Sequence, residues 1–193
     1  MHGTSPAVQW RCKPLADCTP LELHRIHQAR QAVFVVEQNC AFQDADSADE
    51  ACWHLAAWRL PAARAPLDES PPGPVSGAAP DMTTPRAAAL ALEPADPGEL
   101  LAYARLVPPG VKYADASIGR VITTDAARGQ GLGRELVRRA ISAVQLRYPQ
   151  HAIRISAQSR LEVFYQEAGF VIAGARYLED GIDHTEMVLA PKA

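Results

Sequence analysis

The chain is poor in the features that would mark it for a membrane, for export or for nucleic acid. No run of about 18 apolar residues occurs, so no membrane span is expected. The opening stretch, MHGTSPAVQWRCKPL, has no apolar core and does not read as a secretory signal. Lys and Arg number 19 against 22 Asp and Glu, a net charge of -3, and no basic block stands out, so no nucleic-acid partner is expected. Cysteine is scarce. Cys12, Cys18, Cys40 and Cys52 form no CxxC pair, which reads as reduced thiols in a cytoplasmic protein without a structural metal. No internal repeat is visible.

What is present suits one folded domain over 1–193: hydrophobic residues make up 48% of 193, enough for a real core. The odd segment is 61–98, which carries nine of the sixteen prolines and is rich in alanine. Such a stretch buries too little apolar surface to offset its ordering entropy, so a disordered insertion in a hairpin loop is expected.

Around it the order of elements reads β-α-β-(insert)-β-β-α-β-α-β-β, an α/β class with a mixed sheet and covering helices. Strands are expected at 8–13, 53–59, 100–107, 117–123, 152–157, 171–178 and 184–189. Thr19-Pro20-Leu21-Glu22 has the form of a capping box with proline at the first helical position. Leu23, Ile26, Ala29 and Val33 follow at helical spacing as a buried stripe. Leu136, Val137, Ala140, Ile141 and Val144 define one face of a second helix, ended by Pro149. A short helix over 161–168 meets Gly169, placed to stop it.

The junction of the 117–123 strand with that second helix carries the chemistry. It reads Arg128-Gly129-Gln130-Gly131-Leu132-Gly133. Glycines let the backbone bend tightly and bring N–H groups close to a ligand. The helix adds free N–H groups and the positive end of its dipole, which together suit a pyrophosphate. Three phosphate motifs compete. A Walker A loop needs Lys-Ser/Thr after its last glycine, and Arg134 stands there instead. A dinucleotide loop needs GxGxxG, and the spacing here is GxGxG. The pattern R/Q-x-x-G-x-G/A matches in full.

With that loop on the page, the sequence resembles the GNAT acyltransferases. Ile118-Gly119-Arg120-Val121-Ile122-Thr123 with the RGQGLG loop is similar to their coenzyme A motif. Leu161-Glu162-Val163-Phe164-Tyr165-Gln166-Glu167-Ala168-Gly169-Phe170 is similar to their later FYxxxGF pattern. Within the superfamily the chain resembles the ElaA group, through Arg30 to Cys40, Gln43-Asp44-Ala45-Asp46, Ala157-Gln158 and Glu179 to His184. The resemblance spans roughly 8–60 and 99–190; the Pro/Ala-rich segment is the departure. It implies a GNAT-like, mostly antiparallel central sheet with flanking helices. It also implies acetyl-CoA as cosubstrate without a metal. The activity implied is transfer of an acetyl or short acyl group to a primary amine, by direct attack in a ternary complex.

By the same resemblance, backbone groups of Val121, Ile122 and Thr123 pair with the pantetheine arm. Arg128, Gly129, Gln130, Gly131, Leu132, Gly133 and Arg134 cradle the pyrophosphate. Tyr165 resembles the family's general acid: a phenol of pKa about 10 can hydrogen-bond or protonate a leaving thiolate. Three candidates stay open for the base, Glu37, His54 and His184. Arg30, Glu37, Gln38 and Gln158 are substrate-side candidates, and a backbone N–H of the 117–123 strand is the candidate for oxyanion stabilisation. Trp53 and Trp58 read as core or cleft wall. Asp44, Asp46, Asp49 and Glu50 lack the glycine and terminal glutamate of a calcium loop and read as a solvated acidic turn. A small-molecule or peptide amine is the expected partner, with no nucleic acid and no membrane, the protein being a monomer or homodimer. Two other readings stand beside the enzyme: an acyl-CoA-binding sensor without turnover, and an autoinducer-synthase chemistry suggested by the RxxVFVxE segment.

Overall fold

The computed structural model describes residues 8–60 and 96–192. Seven strands form one sheet: β1 (Val8–Pro14), β2 (Trp53–Arg59), β3 (Glu99–Val107), β4 (Ala116–Thr123), β5 (Ile153–Gln158), β6 (Val171–Glu179) and β7 (Ile182–Leu189). Three helices accompany them: α1 (Pro20–Arg30), α2 (Leu132–Arg147) and α3 (Glu162–Glu167). The sheet order is β1-β2-β3-β4-β5-β7-β6. Every neighbouring pair is antiparallel except β4 with β5. The mixed, mostly antiparallel sheet with flanking helices expected above is therefore the fold found. β2 and β3 are hydrogen-bonded neighbours, with Arg59 opposite Glu99 at the point where the chain leaves and returns. The disorder expected over 61–98 falls almost wholly outside the described residues.

Local chemistry explains the elements. Thr19 caps α1 by accepting the Glu22 N–H at 3.2 Å, and Glu22 accepts the Thr19 N–H at 2.9 Å, a closed capping box. Pro20 needs no N–H there. The stripe on α1 is narrower than its spacing predicts: Ile26 is buried, while Leu23, Ala29 and Val33 are half-buried. Two charged side chains take the remaining room. Glu22 is buried against Arg11 at 2.8 Å and Lys13 at 2.9 Å of β1, and Arg30 is buried at the other end. Beyond Arg30 the helix loosens into a π-helical turn over Gln31–Glu37, a form common beside functional sites.

The central strands are covered on both faces. Leu55, Ala57, Leu101, Ala104 and Leu106 pack with Leu136, Val137, Ala140 and Val144 of α2. Ala56, Trp58, Leu100, Tyr103 and Ile122 pack with Ile26 of α1. Each fully buried Leu or Val side chain contributes about 1.5–3 kcal/mol. At the far edge Asp180 (φ +52°) and Gly181 (φ +80°) form the two-residue turn of the β6–β7 hairpin, with Glu179 opposite Ile182.

Candidate active site

Two irregularities in β4 open the sheet. The first lies on its β5 side. The parallel ladder holds only at Ala116–Ile153 and Ser117–Arg154. Beyond that the strands part, and a cavity of about 520 Å³ lies between them. Its walls include Ile118 to Thr123 of β4 and Ile155 to Gln158 of β5, with Val33, Phe34, Glu37 and Gln38 from the π-helical turn after α1 and its cap. The second irregularity lies on the β3 side. Arg105 stands opposite Gly119 and Tyr103 opposite Ile122, so Arg120 and Val121 together face Ala104 alone. This is a β-bulge, which leaves an inserted residue out of the ladder and re-aims the backbone. Arg120 takes φ +52° in it, a conformation that costs a non-glycine residue about 1–2 kcal/mol.

A second cavity of about 260 Å³ adjoins the first through Thr123 and Arg128, and Gly129, Gly131, Leu132, Gly133, Arg134 and Phe164 line it. Gly129 (φ +74°) and Gly131 (φ +77°) both need the left-handed region. A Cβ added at either would meet no atom within 4 Å. The glycines thus serve the bend and leave open space above it. Gly131 is the N-cap of the 16-residue helix α2 yet gives no side-chain cap, in contrast with Thr19 on α1. The first N–H groups of α2 therefore remain for an outside acceptor. Arg128 pairs with Glu37 at 2.6 Å and with Asp125 at 2.7 Å, so the loop is tied to the π-helical turn that follows α1. The donors, the open bend and the adjoining slot fit a diphosphate joined to an extended arm.

Tyr165 of α3 lines the larger cavity. Its ring is held edge-on by Phe164 and Phe170 at centroid distances of 5.1 and 5.8 Å. Burial pushes its phenol up to about 12. No hydrogen-bond partner for that hydroxyl is found among the described residues. His184 also lines the cavity. Its Nδ1 lies 2.8 Å from the Ile182 carbonyl. A carbonyl only accepts, so Nδ1 carries a proton, and Nε2 is the ring nitrogen left to meet a ligand. Gln38 and Gln158 line the same wall and share a 3.0 Å hydrogen bond. The structure therefore brings Glu37, Gln38, Val121, Ile122, Thr123, Arg128, Gln158, Tyr165 and His184 to one cavity. Gln130 differs: it is exposed, and its side chain bonds the Ala126 carbonyl at 2.7 Å, bracing the loop.

Three expectations are corrected. His54 lines neither cavity. Its Nε2 donates to the Asp49 carbonyl at 3.0 Å, and its Nδ1 accepts from the Tyr103 hydroxyl at 2.7 Å. Burial lowers its pKa, and both ring nitrogens are engaged. Arg30 is also absent from both linings and is wholly buried. It donates to Asp44 at 2.7 Å and Asp49 at 2.9 Å. The acidic segment is likewise no solvated turn, because Asp44 and Asp49 are buried. Asp44 also binds Arg120 at 2.8 Å, Asp49 binds Arg105 at 2.9 Å, and Asp46 joins Arg105 at 2.6 Å to Arg120 at 3.4 Å. Three arginines and three aspartates close a ring. Burial alone would raise the Asp49 carboxyl, but Arg30 and Arg105 outweigh it and hold it at about 2.

The sequence reading missed Arg105 and Arg120, both on the cavity wall, and the acidic pair Glu179 and Asp180 beside the hairpin turn. One signal was available for Arg105. It is the lone internal charge in the apolar strand ELLAYARLV, and a buried charge needs a partner. Among the described residues no group of three or more His, Cys, Asp or Glu side chains is arranged to hold a metal ion, and no helix is long and apolar enough to cross a membrane.

Residues 96–191 match the Acetyltransferase (GNAT) domain family. The UPF0039 protein sll0451 of Synechocystis is 33% identical over 94% of this chain and 94% of its own length. The crystal structure of an acyl-CoA N-acyltransferase from Pseudomonas aeruginosa superposes with a TM-score of 0.73 and 35% identity, covering 95% of this chain and all of that one (100%). The crystal structure of Escherichia coli ElaA gives a TM-score of 0.71 and 28% identity over 95% and 99%.

Proposed function

This chain belongs to the ElaA-like group of the GNAT acetyltransferases, and on that footing we propose that it transfers an acetyl or other short acyl group from coenzyme A to a primary amine, both bound at once. The observation that carries the reading is the continuity of two features. The slot where β4 leaves β5 runs into an uncapped helix N-terminus behind two left-handed glycines. Main-chain amides of 129–134 would hold the diphosphate, and the free edge at Val121 to Thr123 would pair with the pantetheine amides as an added strand would. The bulge at Arg120 and Val121 gives a main-chain N–H to the thioester carbonyl, where negative charge develops during attack.

His184 Nε2 takes a proton from the incoming ammonium, which frees the nitrogen lone pair for the carbonyl carbon. The C–N bond forms, the C–S bond breaks with coenzyme A leaving as the thiolate, and the second amine proton passes to water as the amide forms. Tyr165 then faces a thiolate. A phenol at about 12 is a weaker acid than an ordinary thiol of pKa about 8.5. Complete proton transfer to sulfur is uphill, so Tyr165 acts chiefly as a hydrogen-bond donor to the leaving group. Glu179 and Asp180 line the hairpin side of the cavity and supply negative charge suited to a cationic amine, small or peptidic. Four free thiols fit a cytoplasmic setting.

Calorimetric titration with acetyl-CoA, followed by release of free thiol across a panel of amines, tests the proposal. Saturable binding with amine-dependent thiol release is expected. Absence of uptake at millimolar acetyl-CoA would refute it, and binding without turnover on any amine would reduce the protein to a sensor.

A further inference from the structure

The side chains of Arg30, Arg105, Arg120, Asp44, Asp46 and Asp49 take part in no step of the proposed transfer, yet their ring is the most extensive ion-pair network among the described residues. It closes on itself through six ion pairs of 2.6 to 3.4 Å. Its charges cancel, three against three. Its members come from α1, β3, β4 and the segment before β2. Such an assembly is weak evidence for stability, since apolar residues of similar volume often do as well or better. A role in fixing geometry needs a target, and the structure offers one. Arg120 is at once a ring member and the left-handed residue of the β4 bulge. Its guanidinium donates to the Asp44 carboxylate at 2.8 Å and the Asp44 carbonyl at 3.2 Å, and lies over Phe34 and Phe42 at 5.9 and 5.2 Å. Arg105 enters from the facing strand, at the register shift itself.

We propose that these six side chains are positioning residues for acyl transfer: they hold Arg120 left-handed, and so fix the bulge N–H that receives the thioester carbonyl. The inference rests on the coenzyme reading above. In an ordinary strand, N–H groups alternate between the two edges. The inserted residue changes the phase of that alternation, so the direction of the donor depends on the bulge surviving. An unrestrained arginine would relax toward extended backbone and withdraw it. The ring supplies the restraint through Asp44 and Asp46, each held in turn by another arginine, Arg30 and Arg105.

Isotope-edited infrared spectroscopy of bound acetyl-CoA, labelled with carbon-13 at the thioester carbonyl, reads this contact directly. A donated hydrogen bond moves the carbonyl band to lower frequency. Calorimetry on the same samples gives the affinity for CoA. In the wild-type protein the band should shift on binding. Arg120→Ala should lose most of the shift, while CoA affinity stays within about threefold, as phosphate contacts lie elsewhere. Arg120→Gly should keep at least half of it, because glycine adopts positive φ without cost. Asp44→Asn should behave as Arg120→Ala; should that variant fail to fold, the rim substitution Asp46→Asn takes its place, with a partial loss expected. Lack of CoA binding by the wild type would take down the coenzyme reading and this inference together. Binding with no band shift, or a full shift retained in Arg120→Ala, would overturn the inference alone.

Discussion

Replacing Tyr165 by phenylalanine removes one oxygen and keeps the ring contacts with Phe164 and Phe170, so it isolates the phenol. The effect follows from where its proton sits. With the phenol at about 12 and an ordinary thiol near about 8.5, complete transfer opposes a gradient of three to four units, about 5 kcal/mol. The phenol therefore contributes a hydrogen bond to an anion, about 1.5–3 kcal/mol. That converts to a fall in kcat of roughly ten- to a hundredfold, well short of the loss of an obligatory proton donor. Ground-state binding should hardly change, so the affinity for acetyl-CoA should stay within about twofold. Stability should not fall, because the hydroxyl gives up no partner among the described residues. Above pH 10 the variant should be the more stable protein. The raised phenol favours unfolding as pH climbs from its unfolded value of about 10 toward about 12, and phenylalanine has nothing to ionise. Steady-state kinetics with thermal unfolding checks each part. Unchanged kcat would remove Tyr165 from the mechanism; a loss beyond about ten-thousandfold would show that it delivers its proton outright.

Arg30→Met should destabilise the protein by about 3–5 kcal/mol, since it leaves three aspartates facing two arginines in a mostly buried ring. Denaturant unfolding measures this, and a loss below about 1 kcal/mol would contradict the ring as described. Asp49, held at about 2 against about 3.9 unfolded, stabilises the fold above pH 4; about 2 kcal/mol should be lost as pH falls from about 4 to about 2, and Asp49→Asn should lack that limb of the unfolding curve. Gly131→Val forces a branched side chain into φ +77° above the open bend, and should weaken CoA binding at least about tenfold with a stability cost of about 1–2 kcal/mol; calorimetry showing unchanged affinity would mean the loop does not hold the diphosphate. His184→Asn should lower kcat about a hundredfold with CoA affinity preserved, whereas His54→Gln should reveal itself in thermal stability more than in kcat.

The two histidines show where a sequence stops being readable. His54 and His184 both stand in strands among apolar and polar neighbours, and nothing local separates them. Their settings diverge because His54 is buried beside Tyr103, while His184 stands opposite Gln158 at the end of β5 and lines the cavity where β4 and β5 part. The loop and helix motifs were legible because their chemistry is local: a glycine bend, a capping box and a 3.6-residue stripe each reside in a dozen contiguous residues. Tyr165 was picked out by the resemblance of Leu161 to Phe170 to the FYxxxGF pattern, and the structure places it on the cavity wall.

Arg30 and the acidic segment were misread because their meaning is non-local. On the chain, Arg30 ends an amphipathic helix and Asp44 to Glu50 looks like any polar turn. Only the fold brings Arg105 and Arg120 from the adjoining strands β3 and β4 against them. The charge balance nonetheless leaves a trace. A strand as apolar as ELLAYARLV does not carry an internal arginine without a buried anion to meet it, and an acidic segment with no lysine or arginine of its own is the nearest supply. Counting charges that strands cannot solvate, and asking which segment of opposite sign the topology can deliver to them, would have joined these residues before any coordinates. The same count explains why the bulge could not be seen. Arg120 adopts a backbone suited to glycine while its side chain is ion-paired to Asp44 and Asp46 of the segment before β2, and propensity at one position carries no record of such distant partners.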